Sequence, residues 1–364
     1  MSSVIGKYNI PLCTDFLEKK NERPVYAPMW EPMMVPAIHM PGAGIVGREI
    51  PPSDVQPEHI IENAELAAKN LDDLYADMPI AFQAGCGHQW MEAICGCKIL
   101  SANDSLWAKE LPNPSLEAFL NIEPNEAWIE KLLECHKAMV EWVTGRYFCA
   151  VPVLHGPLDI LVGCLGGMEV ACAFYEEPEL LEEALKKATE LYISVSDRLV
   201  RMLRQEEGGY VGRMNIYTQK PCITLQNDAT YMTSPEIFRR VLQPLEKQVV
   251  GSIPNVVYHM HNTSLHLWEA MTETGLSVVQ ISVDPNGPDL EKQIGIYEQM
   301  KKRVPLVLAC WSYETLEIMR KRLTPQGLAL TYVPSASNVQ LDEKGRFGGF
   351  EEWNQHYQEW IAEG

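Results

Sequence analysis

The sequence predicts an α/β fold, a single (β/α)8 barrel spanning residues 1–364 as one domain, with an irregular N-terminal lead-in and residues 1–22 as an extension. Three observations predict it. The chain has 364 residues, 46% of them hydrophobic, which supplies one large core at a length common for barrels. Its second half alternates β-rich runs with helical stretches. The pitch of that alternation is even: His259 to Asp284 spans 25 residues, Asp284 to Cys310 26, and Cys310 to Ser335 25. Closing βα units give such a pitch, because parallel neighbours need a crossover between them.

The N-terminal stretch carries Pro24, Pro28, Pro32, Pro36 and Pro41. Proline fixes φ and lacks an N–H, so this region reads as irregular around a short strand, Val25–Pro28. Apolar residues at helical spacing then mark Glu58–Asp72, Asn125–Thr144, Leu158–Tyr175 and Pro178–Gln205, with short apolar runs Met78–Phe82 and Ala150–Leu154 between them. From Val256 the order is strand Val256–His259, helix Ser264–Glu273, strand Val278–Val283, helix Leu290–Lys302, strand Leu306–Ala309, helix Glu314–Leu323 and strand Leu328–Val333. A doubly wound open sheet is the rival architecture. No Gly-x-Gly-x-x-Gly follows a strand, which counts against its dinucleotide-binding form.

Composition excludes several function classes. With 49 acidic against 30 basic residues the formal charge is −19, and no basic stripe offers itself to nucleic acid. No apolar run reaches the ~18–20 residues of a membrane span. Met1 to Asn9 lacks a signal pattern, so a cytoplasmic protein is expected. The ten cysteines show no repeated spacing and read as free, mostly buried thiols.

The chemistry-bearing cluster lies at the predicted strand ends. In Tyr258-His259-Met260-His261-Asn262 the two histidines are i and i+2 on a strand and face one side. The next strand delivers Asp284 and the one after it Cys310. Two imidazoles, a carboxylate and a thiol are metal-ligand types, and nitrogen with sulfur favours zinc over magnesium or calcium. The same residues also fit a metal-free hydrogen-bonded or acid–base pair, a turn capped by Asp284 and an ordinary core thiol at Cys310.

At these residues the chain resembles the uroporphyrinogen decarboxylase superfamily, in its corrinoid-dependent methyltransferase branch. Tyr258–Asn262 followed by Gln280-Ile281-Ser282-Val283-Asp284-Pro285 is similar to the family's His-x-Cys-Gly segment and the acidic strand end after it. Further matching pieces are Arg23–Met29, Ala76–Pro79, Val153–Pro157, Phe174–Glu179, Leu225–Asp228 and Thr233–Phe238, in order across residues 20–340. The resemblance implies the family's barrel and zinc held by His259, His261, Asp284 and Cys310. The sequence departs from the coenzyme M pattern twice: His261 stands for the first cysteine, and Pro334-Ser335-Ala336-Ser337 offers no second thiol. The decarboxylase's arginines after the first strand are missing from Trp30-Glu31-Pro32-Met33-Met34-Val35-Pro36, so a polycarboxylate would meet like charge.

The resemblance therefore implies methyl transfer between a small substrate and the cobalt of a separate corrinoid protein, since no Asp-x-His-x-x-Gly cobalamin motif occurs here. O-demethylation of a methoxy compound with zinc as Lewis acid is the leading expectation. Methylation of a thiol, metal-free decarboxylation or lyase chemistry at Asp77, and a catalytically lapsed ligand-binding member are alternatives. Asp77, His155, Asp228 and Tyr332 are candidate catalytic residues near strand ends. Trp30, Glu31, Met34 and His88 are candidate substrate contacts. A small methyl donor or acceptor, the corrinoid protein and further copies of this chain are the partners considered.

Overall fold

The computed structural model describes residues 7–29, 42, 44–69, 71, 74–85, 89–102, 105–333 and 350–363. Nine strands frame the site: β1 Val25–Pro28, β2 Ala81–Phe82, β3 Phe148–Cys149, β4 Leu154–His155, β5 Cys222–Gln226, β6 Asn255–His261, β7 Val278–Val283, β8 Leu306–Cys310 and β9 Leu328–Tyr332. Seven of them form one parallel sheet in the order β1-β9-β8-β7-β6-β5-β4. β2 and β3 make a separate parallel pair.

Among the described residues the ladder does not close. The runs expected at Met78–Phe82 and Ala150–Leu154 yield only two-residue pieces, because Pro79 and Pro152 remove ladder donors there. One backbone bond joins the segment before β2 to β1, and another extends the β2–β3 pair. The Asp77 N–H donates to the Tyr26 carbonyl at 2.8 Å, and the Ala150 N–H to that of Phe82 at 2.8 Å.

The strands β7, β8 and β9 are buried along their whole length, as parallel strands covered on both faces must be. Register fixes which face each residue takes. His259 pairs with Gln226 and Gln280, and His261 with Ser282, which pairs with Ala309, which pairs with Thr331. Tyr258, on the opposite face, donates its hydroxyl to Glu246 of the helix Gln243–Ser252 at 3.0 Å. The histidines therefore face away from the helices, and the odd-even partners of Tyr258 face toward them.

Several helices run as the spacing predicts. Asn125 caps Glu126–Val143 by accepting from the Trp128 N–H, and Ser312 caps Tyr313–Arg322 by accepting from that of Thr315. Others differ. The expected helix Leu158–Tyr175 is two, Pro157–Leu165 and Gly167–Glu176, bent by 112° at Gly166, whose φ of +94° suits a residue without Cβ. Ser264–Glu273 resolves into a 3₁₀ stretch, Asn262–Leu267, and a short helix, Trp268–Thr272. The helix Pro57–Ala68 ends before Asp72, which lies outside the described residues.

Two of the helices that were not foreseen complete the core. Ile10–Leu17, inside the expected extension, buries Cys13 and Phe16. Phe350–Glu363 buries Trp353 and Trp360, the latter 5.1 Å from the Tyr26 ring. Both join the one contiguous apolar core. No single helix among the described residues is long and apolar enough to cross a membrane.

Candidate metal centre

The C-terminal ends of β5, β6 and β7 bring polar side chains together. Nε2 of His259 and Nε2 of His261 each lie 3.9 Å from Oδ1 of Asp228, and their rings stand nearly perpendicular at 82°. Among the described residues these three form the group whose ligand atoms converge closely enough for one metal ion. Asp228 follows β5 at the i+2 position from Gln226, so it extends the row that faces the histidines.

The second nitrogen of each ring is occupied. Nδ1 of His259 binds Oε1 of Gln280, and Nδ1 of His261 binds Oδ2 of Asp284 at 2.6 Å. Acceptor oxygens there place the ring protons on Nδ1 and leave both Nε2 lone pairs toward Asp228, the arrangement metal-binding histidines use. Burial pushes the His259 imidazole down to about 4, against the pull of Asp228, so at neutral pH it is in the unprotonated, ligating form.

Support extends outward. The Ser282 hydroxyl donates to Oδ1 of Asp284 at 2.7 Å, and the Trp311 indole donates to Ser282 at 3.0 Å. Oδ2 of Asp228 accepts from the Gln226 amide at 2.8 Å, whose own oxygen accepts from Arg213 at 2.9 Å. The carboxylate of Asp159 accepts the Asp228 and Ala229 N–H groups at 2.9 and 2.8 Å, fixing the turn that carries the ligand. Burial pushes Asp159 up to about 7, against the pull of His155.

The donor set fits a metal. Oδ1 of Asp228 is buried yet accepts no hydrogen bond among the described residues, an orphaned anionic oxygen aimed between two imidazoles. Ligands ~2.0–2.1 Å from tetrahedral zinc are about 3.4 Å apart, so the 3.9 Å separations close with shifts of a few tenths of an ångström. Two imidazoles and one carboxylate are compatible with zinc and leave a coordination position open.

The other expected residues take different places. Asp284 is the hydrogen-bond partner of His261, and its carbonyl also closes a turn with the Gly287 N–H at 3.0 Å. Cys310 pairs with Val283 and lies on the helix-facing side, opposite to His261. Its sulfur meets the Leu308 carbonyl at 3.9 Å, and burial pushes its thiol up. Tyr332, paired with Cys310, shares that face and stacks on Tyr313 at 4.1 Å. Asp77 precedes β2 and lies beside β1, where it takes a bidentate bond from Arg23 at 2.7 Å and one from the Tyr357 hydroxyl at 3.0 Å.

His155 lies at the same level of the sheet as His259. It ends β4 and pairs with Gln226, in one row with His259. Burial alone would lower its imidazole, but the charge of Glu92 and the hydrogen bond to it raise it to about 9, with Asp159 and Asp228 adding to the effect. Trp30, Glu31, Met34 and His88 lie outside the described residues. Sequence reasoning missed Gln280, Glu92 and Asp159. Gln280 carried a signal, a carboxamide inside the apolar run Val278–Val283.

No protein-family model matches the sequence, and no curated protein matches it. Among solved structures, a methyltransferase from Methanosarcina mazei superposes with a TM-score of 0.61 at 16% identity, over 90% of this chain and 93% of that one. At that identity the likeness is one of fold.

Proposed function

We propose that this chain is a corrinoid-dependent methyltransferase of the uroporphyrinogen decarboxylase type. In this reading one (β/α)8 barrel domain carries a zinc site of Asp228, His259 and His261 at its mouth, with β2 and β3 filling the gap between β1 and β4. The observation that carries it is the convergence of two Nε2 lone pairs on an orphaned carboxylate oxygen at parallel strand ends. The likeness of fold to a methyltransferase over nine-tenths of both chains supports it.

Each residue has a task. His259 and His261 ligate through Nε2, Gln280 and Asp284 hold their tautomers, and Asp159 with Gln226 aims Asp228. When bound, zinc supplies Lewis acidity at the heteroatom of a methyl donor, so that the heteroatom leaves more readily as the corrinoid partner's cobalt takes the methyl group. A donor set without thiolate leaves the metal more electrophilic, which favours demethylation of a methoxy compound over methylation of a thiol. The lyase alternative drew on Asp77, whose carboxylate is engaged by Arg23 and Tyr357.

Metal analysis tests the site, and methylation of cob(I)alamin by candidate methyl donors tests the reaction. Stoichiometric zinc that is lost in folded His259→Ala and His261→Ala variants, with donor-dependent consumption of cob(I)alamin, is the expected result. Protein that binds no transition metal after reconstitution would overturn the proposal.

A further inference from the structure

We propose that Cys97 and Cys164 are a site of thiol oxidation: a small hydroperoxide closes them to a disulfide, and the closure weakens the metal site through Glu92 and Asp159. The effect on the metal rests on the zinc reading above.

Contact is the first ground. Sγ of Cys97 lies 3.6 Å from Sγ of Cys164 and 3.9 Å from the Gly163 carbonyl. A disulfide needs about 2.05 Å between its sulfurs, so the pair has about 1.5 Å left to close. Cys95 also hydrogen-bonds with the Cys164 thiol. Gly96, at φ +96°, turns the chain between Cys95 and Cys97 as a residue without Cβ can. Three thiols thus meet where the segment after the helix Trp90–Ile94 crosses the last turn of the helix Pro157–Leu165.

Reactivity is the second. Cys97 keeps 4% exposure against 1% for Cys95 and 0% for Cys164, and its neighbour Lys98 is exposed. A small oxidant therefore meets Cys97 first. Hydrogen bonds with Cys95 and Cys97, with burial added, hold the Cys164 thiol well above its ordinary range. Cys164 thus stays a thiol and resolves its oxidised partner.

Connection to the metal site is the third. The Cys97 N–H donates to the Glu92 carbonyl at 2.9 Å. Gly163, next to Cys164, leaves Glu92 no slack, since a Cβ there would fall 2.6 Å from the Glu92 Cγ. Glu92 binds Nδ1 of His155. The helix that carries Cys164 also carries Asp159, whose carboxylate accepts the Asp228 and Ala229 N–H groups. Drawing the sulfurs together shifts that helix against Glu92, and the turn presenting Asp228 moves with Asp159.

Atoms and electrons balance. The Cys97 sulfur attacks one peroxide oxygen and the O–O bond breaks. The thiol proton leaves with the other oxygen as an alcohol, or as water from hydrogen peroxide, and Cys97 becomes a sulfenic acid. The Cys164 sulfur then attacks the Cys97 sulfur, the S–O bond breaks, and hydroxide departs with the Cys164 proton as water. Two thiols lose two electrons and the hydroperoxide gains them.

The full chain, reduced and zinc-loaded, is treated with hydrogen peroxide and its remaining thiols are alkylated. Linked peptides are mapped by tandem mass spectrometry, and zinc affinity is read by competition with a fluorescent chelator. We expect a Cys97–Cys164 disulfide that dithiothreitol reverses, and a zinc affinity at least about 10-fold lower, as for a disturbed outer partner. The proposed ligands Asp228, His259 and His261 include no thiol, so the change in affinity reports the disulfide. Cys97→Ser, its fold checked by circular dichroism, should keep its zinc affinity under peroxide; the wild-type map and its reversal need no variant. Oxidation confined to the exposed Cys172, or a Cys97–Cys164 disulfide that leaves zinc affinity within about threefold, overturns the proposal. Reduced protein that binds no zinc overturns the metal reading, and the disulfide map then decides the thiol site by itself.

Discussion

Replacing Asp284 with asparagine separates a residue that holds a ligand from one that is a ligand. In the structure Oδ2 of Asp284 lies 2.6 Å from Nδ1 of His261, and Oδ1 is fixed by Ser282 at 2.7 Å. The carboxylate is one-quarter exposed, so its charge is only partly screened. Losing such an outer partner costs about 10–100-fold in metal affinity, or about 1.4–2.8 kcal/mol. The strength of a charge-assisted hydrogen bond, about 1.5–3 kcal/mol, gives the same range independently. Zinc affinity is measured by competition with a fluorescent chelator, with circular dichroism confirming that the variant folds. Asp228→Asn serves as the reference and should lose more, since it removes the charge that the two Nε2 atoms converge on. An affinity within about threefold of wild type would refute the supporting role, and a loss equal to that of Asp228→Asn would make Asp284 a ligand.

Three further outcomes follow from the placement of side chains. Cys310→Ala should leave zinc content unchanged and cost on the order of 1 kcal/mol in denaturant unfolding, because the sulfur only fills space on the helix side; zinc loss would place the thiol in the site. Asp77→Ala should destabilise by about 3–5 kcal/mol, since it strands Arg23, whose side chain is 18% exposed. Activity per folded molecule should hold, and a selective loss of turnover without destabilisation would return Asp77 to the chemistry. The His155–Glu92 pair raises a histidine above its unfolded value, so its stabilisation is complete below about 6.5 and lost as pH rises through about 9. Wild type should exceed Glu92→Gln by roughly 3 kcal/mol at the acid end of that window and converge with it above, read by urea unfolding; a pH-independent gap would remove the pair.

The second half of the fold was legible because its strands are long, apolar and evenly pitched, and the described sheet carries all four in the expected order. Pitch sets the height of a strand end but not its facing. Cys310 reaches the level of His261, yet Ala309 is the residue in register with Ser282, so the thiol turns outward by one residue of alternation. Asp228 was marked as a strand-end residue but not as a ligand, because its role depends on β5 lying beside β6 in the register Gln226 to His259. The surroundings of Asp77 were not legible for a different reason. The run Met78–Phe82 reads as a strand with Asp77 at one end, but only Ala81–Phe82 pairs, which leaves Asp77 ahead of it beside Arg23. Glu92 could not be linked to His155 from spacing, since a tertiary contact between the helices Trp90–Ile94 and Pro157–Leu165 brings them together.

X-ray absorption at the zinc edge of the reconstituted protein tests the central claim most directly, because sulfur and nitrogen or oxygen ligands differ in both distance and scattering. A shell of imidazole nitrogen and carboxylate oxygen at ~2.0–2.2 Å is expected, with bound zinc lost in both His259→Ala and Asp228→Ala. A sulfur at ~2.3 Å, or a zinc shell unchanged by either substitution, would contradict it.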